Sequence, residues 1–162
     1  MTAFVTSPNM CGSPGRYAVY YVGTGGTAVS LTETKSALDS TQRADTQFFN
    51  LDTTNKEIDI LGDGHHEINA QWVFDDQTSS TGAVQRSVRC RIRKNGTAIT
   101  GLVAHSWVVN RGLFKNGVTI HVESIYLVAG DVIDMTYGFT ATAAADTDTV
   151  ADHTRIMIRN NG

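Results

Sequence analysis

Charge is scarce in this sequence. Asp, Glu, Lys and Arg make up 18% of its 162 residues, 13 basic against 16 acidic, for a formal net charge of −3. A non-specific nucleic-acid binder needs a basic face to displace phosphate counterions, and this balance supplies none. Long apolar runs are missing too, because Gly, Asn or Asp interrupts every cluster well short of the roughly 18 residues of a membrane-spanning helix. No membrane partner is expected. The first residues, MTAFVTSPNMCGSPGRY, lack the basic start and apolar run of a secretory signal, so export by that route is not expected either. Cysteine is limited to Cys11 and Cys90. Two cysteines cannot make a structural zinc site alone, and no disulfide is expected between a turn-rich leader and an alternating strand; Cys90 reads as a small core residue.

What is present points to β structure. A chain of this length fits one domain and hides roughly 70% of its unfolded surface on folding, enough for a core without metal or disulfide. Threonine accounts for 21 residues, a flag for polar sheet faces. Residues 1–16 form a Ser, Pro, Gly and Asn-rich leader without periodicity, an arm in character. Arg16–Val22 and Thr27–Leu31, joined by Gly23–Gly26, read as a β-hairpin, so 1–31 is expected to be an arm with a hairpin. The polar stretch 32–46 reads as a linker, and 47–162 as the main domain.

Within that domain, short strands alternate with turn signals about every ten residues, the spacing of a sandwich or barrel. His66–Phe74 puts Ile68, Ala70, Trp72 and Phe74 on one face and Glu67, Asn69 and Gln71 on the other. Ala83–Arg93 alternates likewise, with Val88, Cys90 and Ile92 opposite Arg89, Arg91 and Arg93. Asn95-Gly96 tolerates the positive φ angles of a type I′ hairpin turn, which is a simpler reading of Asn95-Gly96-Thr97 than a glycosylation sequon. Further strands are expected at Ile99–Val109, Val118–Leu127, Val132–Thr140 and Arg155–Arg159, with no long helix.

Catalytic and metal chemistry find little support. His65 and His66 are neighbours on a strand and point to opposite faces, so they read as turn-edge polar residues; one ion could still be shared by three copies of one histidine on a threefold axis. Asp146, Asp148 and Asp152 lack the Gly and terminal Glu of a calcium-binding EF-hand loop and read as solvated. No nucleophile motif, zinc-protease motif or phosphate loop occurs, and Gly23–Gly26 has no helix behind it. Asp75-Asp76 cannot flank one glycosidic bond from adjacent positions. The sequence is therefore read as a non-enzyme without catalytic residues, metal or cofactor. Arg89, Arg91 and Arg93 form its one basic stripe, which suits either contact with an acidic surface, an anionic glycan or a neighbouring subunit, or a solvated face with carboxylate partners.

From Phe48 to Gly162 the order of these pieces resembles the jelly-roll superfamily of the complement globular head and tumour necrosis factor. The matching pieces are Asn50, Gly62–Gly64 before Glu67–Phe74, Arg91-Ile92-Arg93-Lys94-Asn95-Gly96, Leu127-Val128-Ala129-Gly130-Asp131-Val132, and Arg155–Arg159. The final strand departs by closing in Arg-Asn-Asn-Gly, and His65-His66 stands where an aromatic is usual. The resemblance implies an antiparallel jelly-roll sandwich and a homotrimer. Tyr17, Tyr20, Tyr21, Trp107, Phe114, Tyr126, Tyr137 and Phe139 also offer more aromatic surface than one sandwich needs.

A trimeric, polar-surfaced all-β chain with an arm is expected of a virion structural protein, specifically a phage capsid decoration (cement) protein on the outside of the head, made in the host cytoplasm. This expectation rests on analogy at the level of fold. Its partners would be itself and the major capsid protein. Phe4, Tyr17, Tyr20 and Tyr21 are the candidate anchoring residues; Arg89, Arg91, Arg93, Trp107, Tyr126 and Tyr137 are the candidate interface. The alternative is the carbohydrate- or receptor-binding head of a phage fibre, with Trp107, Asp75, Asp76 and Asn110 on a glycan or host receptor.

Overall fold

Twelve strands carry the fold in the computed structural model, which describes residues 16–23, 28–76, 85–109, 115–140, 147–149 and 153–162. They are β1 (Tyr17–Tyr21), β2 (Thr34–Lys35), β3 (Ser40–Ala44), β4 (Phe49–Asp52), β5 (Glu57–Ile60), β6 (Gly64–Asp76), β7 (Gln85–Lys94), β8 (Thr97–Val109), β9 (Lys115–Leu127), β10 (Val132–Phe139), β11 (Thr147–Thr149) and β12 (Arg155–Asn160). No helix forms among the described residues. Phe4, Cys11, Asn110, Phe114, Asp146 and Asp152 lie outside them.

All pairings are antiparallel and divide into two six-stranded sheets. In the first, β6 pairs with β9, β12 and β11, β12 continues to β1, and β1 to β3. The second runs β4-β5-β10-β7-β8, with β2 laid on β10. The inward faces follow the alternation in the sequence: Ile68, Ala70, Trp72 and Phe74 from β6, Val88, Cys90 and Ile92 from β7, and Ile133, Met135 and Tyr137 from β10 are all fully buried. Burying these side chains is the main drive holding the sheets face to face. Phe74 and Tyr137 meet edge-on across the core at 5.9 Å. Burial pushes the Cys90 thiol up, the mark of an inert packing residue. Asn95 and Gly96 take φ of 51° and 76°, the hairpin turn their sequence announces.

The expected arm, residues 1–15, and most of the hairpin's glycine turn lie outside the described residues, while the described parts of 16–46 pair differently from the expected hairpin and linker. β1 lies between β12 and β3, Tyr17 opposite Arg159 and Tyr20 opposite Thr41. Residues 34–35 and 40–44, expected as linker, are edge strands on β10 and β1. Among the described residues the sandwich thus starts at Tyr17. Edge strands need only one row of hydrogen bonds and little apolar content, so a polar stretch can join a sheet once a distant strand offers a template.

Burial in β1 and β10 corrects two aromatic assignments. Ala18, Tyr20 and Val22 point inward, and Tyr20 is 1% exposed, so it is a core residue and cannot anchor a capsid. Tyr137, fully buried, likewise cannot serve an interface. The Tyr20 hydroxyl is buried without a hydrogen-bond partner among the described residues, and burial, with the Asp59 charge, raises its pKa to about 12. Tyr20→Phe removes that unpaired group and is expected to stabilise the fold by about 1 kcal/mol, read from urea denaturation midpoints.

Candidate assembly surface

The second sheet's outward face begins with charge. Arg89, Arg91 and Arg93 point outward from β7, where like charges two residues apart would repel. Each has a carboxylate supplied by a neighbouring element. Glu33, in the segment leading to β2, accepts from Arg89 Nη2 at 3.4 Å and from Arg91 Nη1 at 3.0 Å, and Thr136 on β10 donates its hydroxyl to the same carboxylate. Asp134, next in line on β10 and 1% exposed at its side chain, takes Arg93 through two bonds of 2.6 and 2.9 Å. That bidentate bond raises the Arg93 pKa. Lys35 bridges Asp134, at 3.7 Å, to Glu57. Lys94 pairs with Asp131 at 2.7 Å. The basic stripe is thus ion-paired within the chain, three arginines sharing two carboxylates, which is the carboxylate-partnered reading.

Next to the arginines on β8 the pattern inverts. A bulge shifts the β7–β8 register between Arg91 and Arg93, and Gly101, at φ of +83°, absorbs it. Before it Ile99 packs on the core; after it Leu102, Ala104 and Ser106 turn inward while Val103, His105 and Trp107 turn outward. Two apolar side chains on the outward side face solvent: Val103 is 41% exposed and Trp107 62%. Ser87, opposite Trp107 on β7, holds the His105 ring through its hydroxyl at 3.2 Å. The ion-paired Arg89 is opposite His105 and Arg91 opposite Val103, so charge flanks this row on the β7 side. A Gly inside a strand pattern signals a bulge, and Gly101 carried that signal in the sequence.

β9, the next strand at this side of the sandwich, adds a second aromatic. Its own bulge, between the partners of His66 and Ile68, turns Tyr126 outward at 54% exposure, with the His65 ring edge-on at 5.3 Å and the His65 Nδ1 3.0 Å from the Ser124 hydroxyl. On the outward face of the first sheet, Val19, Gln42, Asn69, Arg155 and Met157 line a shallow depression of about 240 Å3. Tyr17 and Tyr21 are half-buried on the same face of β1, and the Arg43 guanidinium lies over the Tyr17 ring at 4.6 Å from its centre. Of the interface candidates the structure leaves Trp107 and Tyr126 open, engages the arginines internally, and buries Tyr137. No cluster of His, Cys, Asp and Glu suited to a metal occurs among the described residues.

This two-sheet order has counterparts among solved structures. Eiger TNF from S. frugiperda superposes with a TM-score of 0.60 at 13% identity, covering 89% of this chain and 90% of that one. The fold is a TNF-like jelly roll. Murine APRIL, solved at pH 5.0, matches with a TM-score of 0.57 at 11% identity over 89% of this chain and 98% of that one. No family model and no curated protein matches the sequence. The likeness therefore concerns the path of the jelly roll. Its surface residues must be read from their own chemistry.

Proposed function

We propose that this chain is a self-associating structural module, a homotrimeric decoration protein that binds the outside of a phage head and stabilises it. The observation that carries the self-association is the inverted strand β8, where Gly101 rephases the strand so that Val103 and Trp107 face outward and Ala104 and Ser106 face the core. An exposed Trp and Val in a row on an edge strand form the kind of apolar surface that a partner covers. Closed cyclic assembly is the common outcome when that partner is another copy. The head-binding part of the reading is supported by the polar, weakly charged composition and by the position of Arg16, which places the attachment point of residues 1–15 at the end of the sandwich where β12 finishes. The role is one of scaffolding, without catalysis, metal or cofactor.

In solution at micromolar concentration the chain is expected to run at three times its 17.5 kDa mass. Trp107→Glu is expected to reduce it to a monomer with an unchanged β-sheet circular dichroism spectrum. A wild-type monomer would overturn the assembly. Saturable binding to undecorated phage heads, lost on removing residues 1–15, tests the second half of the reading. Since β1 is integral to the sheet, the deletion must stop before Tyr17. The exposed Trp107 indole also suits stacking on a sugar, so glycan binding by a trimer that ignores heads would replace decoration with a receptor-binding role.

A further inference from the structure

We propose that the two ends of the sandwich's chain are joined by an acid-released clasp, in which protonation of His66 expels Asn160 and frees residues 160–162 and the start of β1. His66 is fully buried on β6, its ring edge-on to Phe49 at 5.8 Å. Its Nδ1 lies 2.9 Å from the Gly64 carbonyl, which can only accept, so Nδ1 carries the hydrogen. Its Nε2 lies 3.2 Å from the Asn160 amide nitrogen. Three other groups fix the orientation of that amide: Nδ2 faces the Asp63 carbonyl at 3.1 Å and, more weakly, the Gly62 carbonyl at 3.5 Å, and Oδ1 accepts from the Gly162 N–H at 2.9 Å. The amide therefore donates to Nε2, and the neutral Nδ1–H tautomer is the one form of His66 that satisfies every partner.

A proton on Nε2 would set an N–H against an N–H in a site closed to water. Turning the amide over does not relieve it, because Oδ1 would then face the Asp63 carbonyl and Nδ2 the Gly162 N–H. The conflict falls on the bonds that hold the chain ends. Asn160 N donates to Arg16 O at 2.8 Å, Asn161 N to His65 O at 2.7 Å, and His65 N to Gly162 O at 3.2 Å.

The surrounding groups favour the neutral ring. Burial pushes the His66 pKa below its ordinary 6.5 and the neighbouring His65 adds to this, while the Gly64 carbonyl and Asp131 oppose it in part. Asp131 is itself engaged by Lys94 and Asn95. Asp63 turns its carboxylate to the Ala129 N–H. Opposite His66, β9 presents the apolar Ile125. The Arg16 guanidinium lies close to Gly162.

With a closed-state pKa below the open-state value, the open clasp takes up the proton first. Its stability is complete above about pH 6.5 and falls as pH drops through the interval down to the lowered closed-state value. For one proton the opening equilibrium rises by up to about tenfold per pH unit within that interval.

The test is amide hydrogen exchange by NMR on the intact chain from about pH 7.5 to about pH 5, corrected for intrinsic rates, with the histidine ring nitrogens followed in parallel. The protection of His65 and Asn161 amides is expected to fall by up to about tenfold per pH unit below 6.5, while Cys90 and Ile92 on β7 keep theirs. Asn160→Asp puts an acceptor against Nε2 and also against the Asp63 carbonyl, so it is expected to weaken the clasp at neutral pH and to reverse the dependence, protection rising on acidification as the protonated ring meets the carboxylate. Should that variant fail to fold, the wild-type ring signals decide: His66 must be the Nδ1–H tautomer at neutral pH and take its proton in step with the loss of protection. A His66 that titrates at or above 6.5 with the clasp intact overturns the proposal. So does loss of protection in β7 and the clasp together, or an Asn160→Asp variant that opens in acid as the wild type does.

Discussion

Asp134→Ala is expected to lower the folding free energy by about 3 kcal/mol, which in a chain of this size shifts Tm by about 6–12 °C. The Asp134 side chain is 1% exposed and neutralises two cations, Arg93 through a bidentate bond and Lys35 at 3.7 Å. Truncation leaves both cations facing each other, with Glu57 remaining to Lys35 and no carboxylate remaining to Arg93 among the pairs seen here. The estimate sits at the low end for a broken buried pair because Arg93 and Lys35 keep some contact with water, at 22% and 29% side-chain exposure. Asp134→Asn preserves the shape and one acceptor, and is expected to cost about half as much. Differential scanning calorimetry of the two variants checks both values; an unchanged Tm for the alanine variant would show that Arg93 draws nothing from this pair.

The second large effect is expected from the core. Trp72→Ala should cost about 4 kcal/mol, or about 8–16 °C in Tm. Trp72 is fully buried on β6, the strand that pairs with β9, β11 and β12. Its removal opens a hole where the first sheet has the most neighbours to lose and the least freedom to collapse. Trp72→Phe is expected to be far milder, since it refills most of the space and removes an indole N–H that is buried without a partner among the described residues. In urea the midpoint should fall for the alanine variant with the slope unchanged. A loss under about 2 kcal/mol would mean that neighbouring side chains close the cavity.

How much of this was legible in the sequence depends on how far the deciding partner lies along the chain. Period-two alternation placed Ile68, Ala70, Trp72 and Phe74, and Val88, Cys90 and Ile92, correctly in the core, because one sheet face must be dry whatever strand lies beside it. Asn95-Gly96 announced its turn for an equally local reason. The same local rule, applied to Tyr17–Tyr21, separates inward Ala18 and Tyr20 from outward Tyr17, Val19 and Tyr21, and grouping the tyrosines as one anchoring set overlooked it.

The long-range features were not legible. β1 joins β12 near the other end of the chain, and nothing in a polar stretch such as Ser40–Ala44 names the strand it will pair with. Glu33, which answers Arg89 and Arg91, is more than fifty residues away from them. The outward setting of Val103 and Trp107 depended on phase: strict alternation from Ile99 would have buried both, and one glycine reverses the assignment. Without the bulge, Trp107 would read as core.

The adjacency of β12 and β1 has an engineering consequence. They form a hairpin that lacks its turn: Asn160 N–H meets the Arg16 carbonyl, and Tyr17 faces Arg159 across the ladder. A short loop joining the end of β12 to Arg16 would supply that turn, and new termini could then be opened elsewhere. A circular permutant of residues 16–162 should keep the same core. Arg16 and Asn160 already sit side by side, so the joining loop would be short.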